Sequence, residues 1–161
     1  MIRRAGFTLI ELLAVLGVLA ILVAVAGTGG DQLLERARTA RTASDAKVVV
    51  AAFRQYQADV GVYPQSQGDL GSAPSDAPGW RGPYLDRWPS GAAWDRAAVW
   101  SYEQQKWFDG YPGWGLAICS DHAPPATVVA KVDQLYDDGD PASGTMRASG
   151  NCVRVYVGRE P

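Results

Sequence analysis

A long apolar run with a single acid near its start dominates the first part of the chain. No charged residue occurs from position 12 to position 30, whereas Glu11 lies inside the run, directly after residues 7–10. As a helix, such a run nearly crosses a hydrocarbon core of about 30 Å. A carboxylate near lipid is costly unless it finds a partner, so an acid at this position indicates a function. We therefore predict a membrane segment over about residues 7–30 and a specific partner for Glu11.

The residues before this run have the reverse order of an ordinary secretory signal. Arg3 and Arg4 come first, then Ala5-Gly6, and only then the apolar segment. In a secretory signal the small-residue cleavage site follows the apolar stretch. Cleavage after Gly6 would instead leave the apolar helix attached and make Phe7 the new N-terminus. The two arginines are expected to keep the N-terminus in the cytoplasm and to place the C-terminal part across the membrane.

The string GFTLIELL, residues 6–13, resembles the prepilin cleavage and methylation motif of type IV pilins and type II secretion pseudopilins. The resemblance implies that a membrane peptidase cuts after Gly6 and methylates the new amine of Phe7. It also implies that Glu11 meets the N-terminal amine of a neighbouring subunit, which would offset much of the cost of burying the carboxylate. The alternative is a simple signal anchor in which Glu11 lies at the level of the lipid headgroups.

The resemblance also implies a fold and a set of partners. We expect an α+β pilin-like subunit, with a long N-terminal helix packed on a small antiparallel sheet. Its partners would be other pilin subunits, the prepilin peptidase, the pilus or secretion assembly machinery and, before assembly, the bacterial inner membrane. The assembled chain would lie in a periplasmic pseudopilus or an extracellular pilus.

Residue patterns divide the chain into a cleaved leader (1–6), a helix (7–60) and a globular head (61–161). Val49, Phe53, Tyr56 and Val60, together with Ala52, recur at helical spacing and predict one buried helix face. Glycines within residues 27–30 weaken the helix, because each costs about 1 kcal/mol in helix propensity. A glycine at position 61 and a proline at 64 predict its end.

The segment after the helix, residues 61–115, is rich in glycine, proline and aromatic residues. Its strings Tyr63-Pro64, Gln67-Gly68 and Gly82-Pro83-Tyr84-Leu85 resemble the corresponding region of major type II secretion pseudopilins. The part that follows departs from that pattern. The expected function is therefore a structural subunit of a type IV pilus-like filament, with a secretion pseudopilin as the alternative.

The chain has 6 tryptophans, which invite a binding interpretation. Aromatic faces stack on sugars or on single-stranded nucleic acid, but a small head also needs large side chains for its core. We predict that most of them pack in the core or between subunits. Trp107 and Trp114 are the candidates for exposure, and with them a minor pilin that acts in DNA uptake or adhesion remains an alternative.

The C-terminal part predicts strands over residues 116–119, 126–132 and 152–157, and the last of these alternates with period two. Cys119 and Cys152 are the only cysteines, and both lie on the predicted exported side. Two cysteines in an oxidising compartment indicate a disulfide. A metal pair or a redox pair lacks support, because no CxxC spacing exists and His122 is the only histidine.

Residues 132–141 resemble a D-x-x-x-D-D-G stretch that precedes the last cysteine in various prepilin-like proteins. Asp137, Asp138 and Asp140 could bind calcium through hard oxygen ligands. The spacing does not fit the EF-hand loop, however, and Asp-Gly and Asp-Pro are common in turns. The acids are therefore candidates for either role.

Composition excludes some classes of function. With 15 basic and 17 acidic residues the precursor has a net charge of −2, which gives no general electrostatic reason to bind nucleic acid. No phosphate-binding glycine loop or nucleophile elbow occurs. We therefore expect no enzymatic activity and no cofactor, and a DNA or surface ligand has no support beyond the tryptophans.

Overall fold

The computed structural model describes residues 7–27, 30–106, 110 and 112–159. The chain divides into two compact units, Met1–Ala37 and Arg38–Pro161. Its elements, in chain order, are helix α1 (Leu9–Gly27), helix α2 (Gly30–Val60), a short 3-10 helix (Gln67–Leu70), strands β1 (Val99–Lys106) and β2 (Pro112–Cys119), helix α3 (Ala126–Tyr136), and strands β3 (Met146–Ser149) and β4 (Cys152–Arg159). The predicted α+β class is confirmed.

The N-terminal unit contains the apolar run as α1. This helix ends at Gly27 and has Glu11 in its first turn. No helix in the described ranges, α1 included, is both long enough and apolar enough to cross a membrane, so the membrane segment predicted for residues 7–30 is not confirmed. The predicted helix over residues 7–60 corresponds to α1 and α2; positions 28 and 29 between them, and the predicted leader 1–6, lie outside the described residues.

Helix α2 supplies one wall of the core through a regular stripe of side chains. Its buried residues are Thr39, Thr42, Ala43, Ala46, Val49, Val50, Ala52, Phe53 and Tyr56. Their spacing of three and four positions places them on one face of an α-helix, which confirms the predicted face. Gly61 ends the helix with a φ of 88°, and its N–H donates to the carbonyl of Gln57 at 2.8 Å, as expected of a glycine at this position.

The sheet has four antiparallel strands in the order β1-β2-β4-β3. Val153, Val155 and Val157 of β4 are buried, while Arg154 and Tyr156 between them are only half-buried. This is the period-two pattern of a strand with one face on a core, and it confirms the strand predicted over residues 152–157. The strand predicted at 116–119 is the second half of β2.

The strand predicted over residues 126–132 is wrong, because this segment belongs to α3. Its valines favour a strand by propensity, but Val129, Val132 and Asp133 are the buried positions. That spacing is helical rather than alternating. The tertiary environment therefore outweighs the weak preference of β-branched residues for strands.

A stack of three aromatic side chains, with a fourth at its edge, joins α2 to the sheet. Phe53 of α2 stacks on Tyr102 of β1, with ring centroids 4.0 Å apart, and Tyr102 stacks on Trp114 of β2 at 4.8 Å. Trp88 meets the edge of Phe53 at 6.2 Å. Such aromatic pairs contribute about 0.5–1.5 kcal/mol each beyond the area they bury. The stack therefore holds the helix against the two strands.

Gly158 of β4 offers a local test of this packing. A Cβ at Gly158 would overlap the hydroxyl and ring of Tyr63, whose side chain is buried. We expect Gly158→Ala to lower the free energy of unfolding by about 1–3 kcal/mol, as overpacking does. Urea unfolding of the full chain, followed by tryptophan fluorescence, measures the loss.

Gly71→Ala is the matched control for this substitution. Gly71 has a φ of −98°, and a Cβ added there would have the Leu85 carbonyl oxygen as its nearest neighbour, at 3.6 Å. A change there should leave stability within about 0.5 kcal/mol. Equal stability of the two variants would contradict the packing described around Tyr63.

Candidate assembly site

The start of α1 is fixed by reciprocal hydrogen bonds between Thr8 and Glu11. The backbone N–H of Thr8 donates to Glu11 Oε2 at 3.0 Å, and the Thr8 hydroxyl donates to the same oxygen at 2.8 Å. The Glu11 N–H lies 3.4 Å from Thr8 Oγ1. This is a capping box, with Thr8 as the N-cap and Glu11 as the third helical residue. Their side chains accept hydrogen bonds from two backbone N–H groups that have no carbonyl partner within the helix.

The capping role of Glu11 was not predicted, although the signal is present in the sequence. Threonine followed three residues later by glutamate, just before an apolar run, is the pattern of a capping box. Both Thr8 donors reach Oε2, so the contacts in the described part of the chain leave Oε1 for a further partner. Helix capping and pairing with a second subunit can therefore share one carboxylate.

The apolar side chains of α1 that the structure describes, within residues 9–24, are exposed in the isolated chain. Phe7, two residues before the helix, is 81% exposed. The large exposed side chains that follow it are Leu9, Ile10, Leu12, Leu13, Val15, Leu16, Val18, Leu19, Ile21, Leu22 and Val23. Soluble monomers rarely expose contiguous apolar patches of more than a few hundred Å², and larger ones mark interaction surfaces. The surface of α1 is therefore a candidate contact surface for another protein or for lipid.

The residues predicted for processing lie at the edge of the described chain. Gly6 lies outside it. Phe7 and Thr8 precede the first helical residue, Leu9. A chain that begins at Phe7 would therefore present its amine one turn before Glu11, outside the helix.

The predicted disulfide is present and joins the two central strands. Cys119 ends β2 and Cys152 begins β4, and the two face each other in the sheet register with their Cα atoms 4.1 Å apart. The bond therefore ties together the ends of two neighbouring strands and closes the segment that holds α3 and β3.

The three candidate acids of the C-terminal loop separate into two groups. Asp140 acts in a turn: its carboxylate accepts the N–H of Ala142 at 3.0 Å and the hydroxyl of Ser143 at 3.2 Å. Asp137 and Asp138 lie instead with Asp133, and one oxygen of each of the three lies within 4.8 Å of the others. Asp133 was not predicted as part of this group, although it is the first aspartate of the D-x-x-x-D-D-G stretch. In α3 it lies on the same buried face as Val129.

Burial and neighbouring acids disturb the ionisation of Asp133. Burial, then the carboxyl groups of Asp138 and Asp137, raise its pKa to about 6, while the N–H of Gly139 opposes the shift. Desolvation disfavours the charged form of an acid, and nearby like charges act in the same direction. Hydrogen bonds from the Asp140 backbone and from Ser143 hold the pKa of Asp138 below its usual range.

The prediction that Trp114 is exposed is wrong. Its side chain is only 6% exposed, because β2 is a central strand and the indole lies in the aromatic stack with Tyr102. Trp107 lies outside the described residues. Trp100 is buried, and Trp80, Trp88 and Trp94 pack against the core, which confirms the core interpretation of the tryptophans for the described ones.

Two family models match this chain. Residues 1–27 match the prokaryotic N-terminal methylation motif, and residues 33–112 match the C-terminal part of PilW. No curated protein and no solved structure shows significant similarity to it. The first match covers the predicted leader and the capped apolar helix α1, and the second covers most of α2, the loops that follow it and β1. The chain belongs to the type IV pilin-like family.

Proposed function

We propose that the chain is a minor pilin, a structural subunit that enters a type IV pilus-like filament through α1. The observation that carries this proposal is the exposed apolar surface of α1 directly after a prepilin-type N-terminus. The methylation motif and the PilW match together suggest a minor pilin. Family membership implies, in general terms, assembly with other pilus subunits and processing by the prepilin peptidase.

The proposed processing prepares the N-terminus for assembly. The peptidase cuts after Gly6 and methylates Phe7, and the loss of residues 1–6 also removes the positive charges of Arg3 and Arg4 from the chain. The prepilin-type motif implies a chain that is anchored to the membrane first and associated with a pilus afterwards. We propose that the anchored chain has its N-terminus in the cytoplasm, on the side of the arginines.

In the proposed filament, each α1 packs against the α1 helices of its neighbours. Glu11 of one subunit pairs with the amine of Phe7 in the adjacent one, and its Oε2 keeps the bonds to Thr8. A buried carboxylate without a countercharge is strongly unfavourable, so this pairing selects the register in which the two charges meet. The role is structural and includes no catalytic step.

Labelling of filaments tests the proposed role. An epitope-tagged chain, expressed in a strain that lacks the untagged one, should be found by immunogold electron microscopy on sheared surface filaments. We expect far fewer gold particles than for the main subunit, and fewer filaments when the gene is deleted. Labelling as dense as that of the main subunit would exclude a minor role, and absence of label would contradict filament entry.

A type II secretion pseudopilin is the second candidate, because the segment from Tyr63 to Leu85 resembles that class. In the structure this segment packs on the core: the indole N–H of Trp80 donates to the Asp69 carbonyl at 3.0 Å, and Tyr84 donates to Asp59 at 3.0 Å. If this candidate is right, deletion of the gene blocks release of secreted enzymes and leaves surface filaments intact.

The structure removes one of the two residues on which a role in DNA uptake or adhesion was predicted. That role rested on Trp107 and Trp114 as exposed aromatic residues, and Trp114 is buried. We therefore do not include a ligand of these tryptophans in the proposed function.

A further inference from the structure

We infer that Asp133, Asp137 and Asp138 form a site for one calcium ion at the junction of α3 with the loop that leads to β3. The three carboxylates come from the last turns of the helix and from the residues directly after it. No step of the proposed filament assembly uses them.

The buried member of this cluster carries the argument. Asp133 is 0% exposed, and neither of its carboxylate oxygens has a hydrogen bond of normal geometry in the described part of the chain. The N–H of Gly139 and the carboxyl group of Asp138 both influence Asp133, but neither reaches such geometry. An unpaired buried carboxylate is costly, and buried charges are normally paired or bound to a metal.

The neighbours of Asp133 add negative charge instead of neutralising it. In the described chain, the side chains that shift the pKa of Asp133 belong to Asp138 and Asp137, and both are acids. The cluster therefore lacks a countercharge among those groups, and a divalent cation would supply one.

The cluster suits calcium better than magnesium, because magnesium demands near-ideal octahedral geometry and gives up its water reluctantly. Calcium binds oxygen at 2.3–2.6 Å, so two oxygens on opposite sides of the ion lie about 4.6–5.2 Å apart. For magnesium, at 2.0–2.1 Å, the corresponding limit is about 4.0–4.2 Å. Each of the three carboxylates has an oxygen within 4.8 Å of the others, a spacing compatible with one shared calcium ion.

The loop that follows is built around the same carboxylates. Asp137 Oδ2 accepts the N–H and the hydroxyl of Thr145, and Asp138 Oδ2 accepts the hydroxyl of Ser143 at 2.8 Å. Gly144 has a φ of 69°, and a Cβ there would overlap oxygens of both acids. The loop thus holds two ligands in place, and Gly144 leaves room for them. Backbone carbonyls and water would complete the six to eight oxygen ligands that calcium takes.

Calcium titration of the full chain, purified in detergent and freed of metal, tests the site. We expect one calcium ion per chain by isothermal titration calorimetry, in the affinity range of about 10⁻⁴–10⁻³ M typical of extracellular modules. Because a ligand bound only to the folded state stabilises it, 10 mM calcium should raise the melting temperature by several degrees. Magnesium at the same concentration should raise it less.

Two asparagine variants separate the site from general effects of charge. Asp133→Asn should lose the thermal response to calcium and weaken binding at least tenfold, while its metal-free form melts no lower than the wild type because one like charge is gone. Asp140→Asn, which removes an acid of the same loop outside the cluster, should respond like the wild type. Absence of binding to the wild type, or a full calcium response in Asp133→Asn, would overturn the inference.

Discussion

Glu11→Gln is expected to be cleaved and methylated normally and yet to enter filaments at least tenfold less often than the wild type. Glutamine has the same length and still suits the third helical position of a capping box, so α1 should begin as before. What is lost is the negative charge that meets the amine of Phe7 in the neighbouring subunit. Breaking a buried ion pair by removing one partner costs roughly 3–5 kcal/mol, and 1.4 kcal/mol corresponds to tenfold. Quantitative immunoblots of the sheared filament fraction measure the effect.

Thr8→Ala is the matched control, because it removes the cap and keeps the charge. It eliminates the hydroxyl that donates to Glu11 Oε2 at 2.8 Å, and loss of such a cap costs about 0.5–2 kcal/mol of helix stability. We expect this variant to enter filaments nearly as often as the wild type. If Thr8→Ala and Glu11→Gln were equally impaired, the carboxylate would act as a helix cap, and the proposed pairing between subunits would be wrong.

Replacing both cysteines with serine is expected to lower the free energy of unfolding by roughly 3–4 kcal/mol. The disulfide joins residues separated by 33 positions, and a cross-link over a segment of that length removes much of the conformational freedom of the unfolded chain. The strands that it joins also pair directly in the sheet, so the folded state should stay the same while the unfolded state gains entropy. Urea unfolding of the oxidised wild type and of Cys119→Ser/Cys152→Ser measures the difference.

A reductant supplies the control for this pair. Dithiothreitol should destabilise the wild type by about the same amount and leave the double-serine variant unchanged. A difference of less than about 1 kcal/mol between the oxidised wild type and the variant would show that the disulfide contributes little to the stability of the head.

Features that depend on local patterns could be predicted from the sequence. The buried face of α2 follows from the spacing of Val49, Phe53 and Tyr56, and its end follows from Gly61. The alternation in β4 was equally visible. In each case one short stretch of residues contains the whole signal, because helices and strands bury side chains at fixed periods.

Features that depend on distant contacts could not be predicted in this way. Trp114 lies in a glycine-rich stretch that suggests a loop, and only the pairing of β2 with both β1 and β4 buries it. The valines of α3 favour a strand, so the helix was not predicted. Without the helix, the position of Asp133 beside Asp137 and Asp138 could not be predicted either. The order of the strands depends on long-range pairing, which no local pattern encodes.

The intact mass of the chain recovered from sheared surface filaments tests the central claim most directly. The account predicts a chain that begins at Phe7, carries one added methyl group and is present in the filament fraction. A chain that keeps residues 1–6, or one found only in the cell membrane fraction and never in filaments, would contradict it.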